Sequence, residues 1–181
     1  MKIYFTSDNH FGHTNVIKYT LRPFSNIDEM NSELIARYNS VVNEDDLVYH
    51  LGDFSLDERL VPIILPKLNG RKQLIAGNHD KCHSCHKKHL KYIQKYIEYG
   101  FESVKEVDTL NNWLLCHMPY INDDLESERY AQYRPIDKGM WLLHGHVHNS
   151  WKVKGRMINV GVDQWDYAPV SLEQLEELRK I

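Results

Sequence analysis

The sequence predicts a mixed α/β fold in a single domain spanning residues 1–181, and three observations carry that prediction. Short apolar runs bounded by turn residues recur along the chain, the pattern of buried strands. Amphipathic stretches with helical spacing alternate with them. The length of 181 residues suits one domain with a sizeable core.

Taken in order, residues 3–5 form a first strand and residues 14–21 a short helix stopped by Pro23. Ile27, Met30, Leu34, Ile35, Tyr38 and Val41 are spaced close to 3.6 residues apart, which predicts a helix over 27–42. Asp28 and Glu29 in its first turn favour the positive end of its dipole. Residues 47–51 are the second strand. Pro62 and Pro66 keep any helix over 60–68 short. Residues 73–76 are the third strand, and Leu90, Ile93 and Ile97 predict a helix over 87–99 with Gly100 as its stop. Strands follow at 103–107, 113–116 and 141–144, then a hairpin of 151–153 with 157–160 around Lys154-Gly155-Arg156. The polar stretch 122–138 has no periodicity and reads as a loop over the site. Ser171 with Gln174 makes a capping box for a closing helix over 172–180.

Composition narrows the function. A net charge of -3 supplies no general basic field for nucleic acid, although lysines and histidines crowd between Lys81 and Lys95. No segment approaches the roughly 18 apolar residues of a membrane span. The first eight residues turn polar too soon for a signal peptide, so a cytoplasmic protein without membrane partners is expected. Three cysteines, an odd number, argue against a disulfide framework. Cys82 and Cys85 form a C-x-x-C among His83, His86 and His89; reduced thiols in a His-rich loop is preferred over a small zinc site, because no second pair completes a four-ligand set.

Five polar clusters follow apolar runs: Asp8-Asn9-His10, Gly52-Asp53, Gly77-Asn78-His79-Asp80, Cys116-His117 and Gly145-His146-Val147-His148. Ligands of open α/β sheets bind beyond the carboxyl ends of the strands, so these clusters point to one shared site. Asp8 with His10, and His146 with His148, are each two residues apart at a strand end, so each pair is expected to share a face. Carboxylate and imidazole together suit Mn, Fe or Zn rather than Ca or Mg. Asp8, His10, Asp53, Asn78, His117, His146 and His148 exceed the needs of one ion. Two ions about 3.5–4 Å apart would use them all, with Asp53 able to bridge.

The series D-x-H, G-D, G-N-H-D, H and G-H-x-H, running without a gap from residue 8 to residue 148, resembles the calcineurin-like metallophosphoesterase superfamily. The resemblance implies a two-sheet β-sandwich flanked by helices, in four layers, with metals at the strand ends. It implies that Asp8, His10, Asp53 and His148 hold one ion, and Asp53, Asn78, His117 and His146 the other. It further implies that His79 acts near the leaving group and that Asp80 orients His79. The expected activity is hydrolysis of a phosphodiester or phosphomonoester, of a nucleotide or other small molecule, by hydroxide activated on two divalent metals. Mn is the first choice, with Fe, Zn, Ni or Co able to replace it. A nuclease on longer nucleic acid and a non-catalytic metal-binding scaffold are the alternatives; the complete ligand set with His79 argues against the scaffold.

Other residues keep two readings. His13 faces substrate phosphate or caps the next helix. Arg134 clamps phosphate from the long loop or is solvated. His50 and His144 sit behind the ligands or in the core. Tyr120, Tyr130, Tyr133 and Trp165 stack on a nucleobase or belong to the core. Asp163 resembles a residue that follows the last strand in several family members.

Overall fold

A computed structural model describes residues 1–121 and 130–180. Eight residues of the polar stretch at 122–138, namely 122–129, lie outside the described residues. Strands β1 (Ile3–Thr6), β2 (Leu47–His50), β3 (Arg71–Ile75), β4 (Ser103–Lys105), β5 (Val107–Leu110), β6 (Trp113–Cys116), β7 (Trp141–His144), β8 (Val153–Lys154), β9 (Met157–Asn159) and β10 (Val170–Ser171) build two five-stranded sheets. Helices α1 (Thr14–Tyr19), α2 (Ile27–Val41), α3 (Val61–Ile64), α4 (His89–Tyr99) and α5 (Leu172–Leu178) accompany them.

The first sheet runs β10-β1-β2-β3-β4, parallel except for β10. The second runs β5-β6-β7-β9-β8, with β6, β7 and β9 parallel. The mixed α/β fold with two sheets and helices agrees with the sequence expectation. Alternation along the strands explains how the layers form, because successive side chains point to opposite faces. Tyr4 joins the core under the helices, with Met30, Leu34 and Tyr96, while Phe5 joins the core between the sheets, with Tyr49, Leu115 and Leu143. On the second sheet Leu115 and Leu143 face inward, while Cys116 and Leu142 face a third cluster with Met118 and Tyr120. Leu175 of α5 packs in the inter-sheet core, and Trp113 Nε1 donates to Glu176 Oε1 at 2.8 Å, so α5 spans both sheets.

Differences from the sequence reading have local causes. The run 103–107 is two strands: the chain leaves the first sheet at Lys105 and enters the second at Val107. The two-residue β10 is too short for periodicity to show. The prolines divide 60–68 into α3 and flanking 3₁₀ turns, Glu58–Leu60 and Leu65–Lys67. The capping box at Ser171 and Gln174 is present. No helix of the described residues is long and apolar enough to cross a membrane.

Candidate metal centre

The loops that leave β1, β2, β3, β6 and β7 at their carboxyl ends bring the polar clusters together. Asp8, His10 and His148 offer ligand atoms within 4.8 Å of one another, and so do Asp8, Asp53 and His117. Asp8 belongs to both groups. Asp53 Oδ2 lies 3.6 Å from His10 Nε2 and 3.4 Å from His117 Nε2, so it also faces both. Asn78 Oδ1 sits 3.2 Å from His117 Nε2 and 3.0 Å from His146 Nδ1. All seven residues expected as ligands thus surround one buried space.

Pleating does not produce this convergence. Asp8, His10, Asp53, His146 and His148 all have left-handed backbones, with φ of 58°, 51°, 56°, 71° and 47°. Asp8 and His10 have left the regular strand, so the strand-face argument from their spacing does not apply to them. Each such non-glycine residue costs on the order of 1–3 kcal/mol and persists only where its surroundings fix it. Here the fixing bonds are visible. Asp8 N donates to Gly52 O and His10 N to Asp53 O, each at 3.0 Å, which zips the first loop to the second. His146 N donates to both oxygens of Asp8, at 3.2 and 3.0 Å, tying the β7 loop to the β1 loop. Two glycines permit the approach: a Cβ at Gly145 would collide with Ser7 Oγ and Asp8 Oδ2, and one at Gly77 with Asp53 Oδ1.

Asp80 is placed differently from the expectation that it would orient His79. Its buried carboxylate accepts from Gly77 N and Asp53 N, each at 2.8 Å, and from Phe54 N at 3.1 Å. It locks the β2 and β3 loops together. Burial and the Asp53 charge push its carboxyl up to about 7, against the pull of the amides. His79 lines the cavity and is partly exposed; its N–H donates to Asp53 Oδ1 at 2.9 Å, and its ring lies 5.4 Å from that of His10.

A buried guanidinium absent from the sequence reading completes the support. Arg22 Nη2 donates to Asp8 O at 2.7 Å and Nη1 to Asn9 O at 2.9 Å. Its Nε and Nη2 donate to the two oxygens of Asp163, each at 2.9 Å. Asp163 Oδ2 in turn lies 3.4 Å from His148 Nδ1, which gives Asp163 the chemical role the sequence did not reveal. Burial would raise the Asp163 carboxyl, but His148 and Arg22 outweigh it and bring it down to about 2. His50 is a buried support too: Gly52 N donates to its Nδ1 at 3.2 Å, and its Nε2 meets Asn9 Oδ1 at 2.8 Å. His144 is fully buried beside Trp151.

Burial and neighbouring charge divide the histidines of the metal-free cluster into neutral and protonated rings. Burial holds His10 well below the ordinary imidazole range and takes His146 down to about 3, so both rings keep free lone pairs. Burial works against charge on Asp53 and His117 as well, but their mutual attraction prevails. Asp53 is held well below the usual carboxylate range and His117 is pushed up to about 10. His117 Nδ1 is 2.7 Å from Leu51 O, which turns Nε2 toward Asp53 and Asn78. Both ring nitrogens of His10 are buried without a hydrogen-bond partner, although Asp53 and Asp8 approach Nε2 to 3.6 and 3.9 Å. Buried polar atoms are rarely left so, and a cation would satisfy the ring nitrogen that carries the lone pair. The oxygen–nitrogen donor set fits a divalent transition metal.

An open cavity of about 530 Å³ adjoins the cluster, lined by His10, His13, His79, His146 and His148 together with Tyr19 and neighbouring residues. His13 occupies the N-cap position of α1 but makes no side-chain cap bond, and it faces this cavity. Arg134 does not line it. That side chain is largely buried, donates from Nη1 to Tyr120 O at 3.4 Å, and borders a separate cavity with Leu114 and Pro135. Of the expected stacking aromatics, Tyr120 is buried with its hydroxyl on Met140 O, and Trp165 packs against the inter-sheet core under Lys152. Tyr133 packs on His83, while Tyr130 stands 6.4 Å from the His146 ring. In the C-x-x-C loop, Cys82 is buried, while Cys85 Sγ and His86 Nε2 contact Asn78 O at 3.5 and 3.0 Å. Among the described residues, the groups that could hold a metal are the two around Asp8.

The model of the calcineurin-like phosphoesterase superfamily domain matches residues 1–164. The chain belongs to that superfamily. An uncharacterized protein of Methanocaldococcus jannaschii is 34% identical, the match covering 98% of this chain and 90% of the relative. The Gene 66 protein of Mycobacterium phage L5 is 32% identical over 90% of this chain and 86% of its own. A crystal structure of a protein of unknown function from Aquifex aeolicus superposes with a TM-score of 0.71 at 26% identity, covering 98% of each chain. For this calcineurin-like chain, superfamily membership and the ligand groups together support a metal-dependent phosphoesterase in general terms.

Proposed function

We propose that the protein hydrolyses a small phosphodiester or phosphomonoester, such as that of a nucleotide, with two divalent transition metals, Mn first among them. The observation that carries this reading is the pair of ligand groups sharing the buried Asp8 beside an open, histidine-lined cavity. Asp8, His10, Asp53 and His148 would hold one ion, and Asp53, Asn78, His117 and His146 the other. When bound, such ions supply Lewis-acid charge that lowers the pKa of water and neutralises phosphate oxygens.

The chain's own residues do the rest. His79 stands at the cavity wall, anchored through its backbone to Asp53, where its ring can give a proton to the departing alkoxide. His13, on the same wall, can donate a hydrogen bond to a phosphate oxygen. Asp80 and Arg22 hold the ligand-bearing loops in their left-handed conformations, which keeps the site formed in advance of substrate. A Ser or Cys nucleophile is not needed, and Cys82 and Cys116 are buried with thiols raised by that burial.

The test is turnover of bis-p-nitrophenyl phosphate and p-nitrophenyl phosphate after metal-stripped protein is reloaded with Mn. Hydrolysis of at least one, abolished by Asp53→Asn, is expected. Turnover of neither by protein that has taken up Mn contradicts the reading.

A further inference from the structure

The cavity beside the ligand cluster, at about 530 Å³, lies within the roughly 300–1,000 Å³ of small-molecule sites and extends well beyond a phosphate group. Away from the histidines its wall is made by α1 and the β7 loop: Val16, Tyr19 and Thr20 on one, Val147, Asn149 and Ser150 on the other. None of the described residues lining it is Lys, Arg, Asp or Glu. A polyanionic strand tracking through would call for cationic walls. A neutral group with an apolar face and hydrogen-bonding edges suits this lining better.

Tyr19 is the aromatic in that wall. It is 73% exposed, an unusual state for so large a side chain, and its ring stands nearly perpendicular to that of His13 with centroids 6.2 Å apart. Leu21 beside it is 82% exposed. The backbone beneath this apolar lip is nevertheless firmly held. Thr20 N donates to Val16 O, Arg22 N to Ile17 O, and Asn149 Nδ2 to Thr20 O, at 2.9 to 3.0 Å. Leu21 takes a left-handed conformation, φ 56°, between Tyr19 and the buried Arg22. An exposed aromatic on a fixed backbone offers large contact area at a small entropic cost, since tyrosine has only two side-chain torsions to order.

We propose that Tyr19 is a stacking platform for a flat heteroaromatic group, a nucleobase or its chemical equivalent, in the non-departing half of the phosphoester. The assignment rests on the hydrolytic reading above and moves the stacking role from the aromatics in the core to the end of α1. Asn149 and Ser150 bring hydrogen-bonding groups to the same cavity, which suits the polar edge of such a ring.

The experiment compares Mn-loaded wild-type protein, Tyr19→Ala and Tyr19→Phe on two esters, thymidine 5′-monophosphate p-nitrophenyl ester and methyl p-nitrophenyl phosphate. Both release the same phenolate, so the ratio of their kcat/KM values reads the retained half. The wild type should favour the nucleoside ester. Tyr19→Ala should lower that preference by about 5- to 150-fold, the span that base–aromatic stacking supplies, mainly through KM. Tyr19→Phe should keep it. A ratio unmoved by Tyr19→Ala, or lost equally in Tyr19→Phe, overturns the proposal. Wild-type protein that hydrolyses neither ester defeats the hydrolytic reading separately. Stacking is then read by calorimetry as the Kd of thymidine 5′-monophosphate against that of methyl phosphate. A loss of nucleotide affinity in Tyr19→Ala supports it, and equal affinity in both proteins overturns it.

Discussion

Replacing Asp163 by Asn would test the buried clamp that braces the metal centre. The Arg22 and Asp163 side chains are 0% and 2% exposed, joined by two bonds of 2.9 Å, and Arg22 also carries the carbonyls of Asp8 and Asn9. The fall of the Asp163 carboxyl from 3.8 to about 2 corresponds to about 2 kcal/mol of net stabilisation of its charge, after burial has been overcome. In Asp163→Asn the guanidinium stays buried without its counter-charge, and breaking such a pair typically costs about 3–5 kcal/mol. Urea unfolding of metal-free protein at pH 7 should therefore show a loss of that order. A double-mutant cycle with Arg22→Met should return a coupling above roughly 1 kcal/mol. Because His148 contacts Asp163 and Asp8 is gripped by Arg22, metal affinity should fall along with stability. A variant within about 0.5 kcal/mol of wild type, or additive single losses, would refute the reasoning.

Two further outcomes follow from the same geometry. His79→Ala should retain its metals yet lose about 10²- to 10⁴-fold on esters with poor leaving groups and far less on p-nitrophenyl esters; equal losses on both would remove the acid role. His50 is held neutral by burial, its pKa down to about 3 against an ordinary 6.5. Its contribution to stability is thus complete above pH 6.5 and is lost as pH falls toward 3, amounting to about 2 kcal/mol between pH 7 and pH 5. His50→Gln should be less stable at pH 7, where it loses the bonds to Gly52 and Asn9, and the gap should narrow by about that amount at pH 5. A gap independent of pH would contradict this.

The sequence disclosed the site's membership better than its construction. Apolar runs followed by Asp, Asn or His marked β1, β2, β3, β6 and β7, because these strands feed apolar side chains into the cores and turn polar at and beyond their carboxyl ends. The left-handed turns at Asp8, His10, Asp53, His146 and His148 were not legible: Asp and His enter that region more readily than most residues, but too seldom to place such turns, and cross-loop hydrogen bonds impose them. Arg22 left no trace in its neighbourhood, since Leu21-Arg22-Pro23 reads as a turn and its partner Asp163 is 141 residues away. Asp80 sits in a motif, yet only the folded chain reveals that its carboxylate serves the Gly77, Asp53 and Phe54 amides. Tyr19 was overlooked because a tyrosine at the end of a short amphipathic helix resembles any core contact until its exposure is known.

Equilibrium dialysis of the metal-stripped protein against Mn, read by elemental analysis, addresses the binuclear centre most directly. Wild-type protein should take up about two ions per chain and Asp53→Asn one or fewer. Uptake well below one ion by folded wild-type protein, or uptake indifferent to Asp53→Asn, would contradict it.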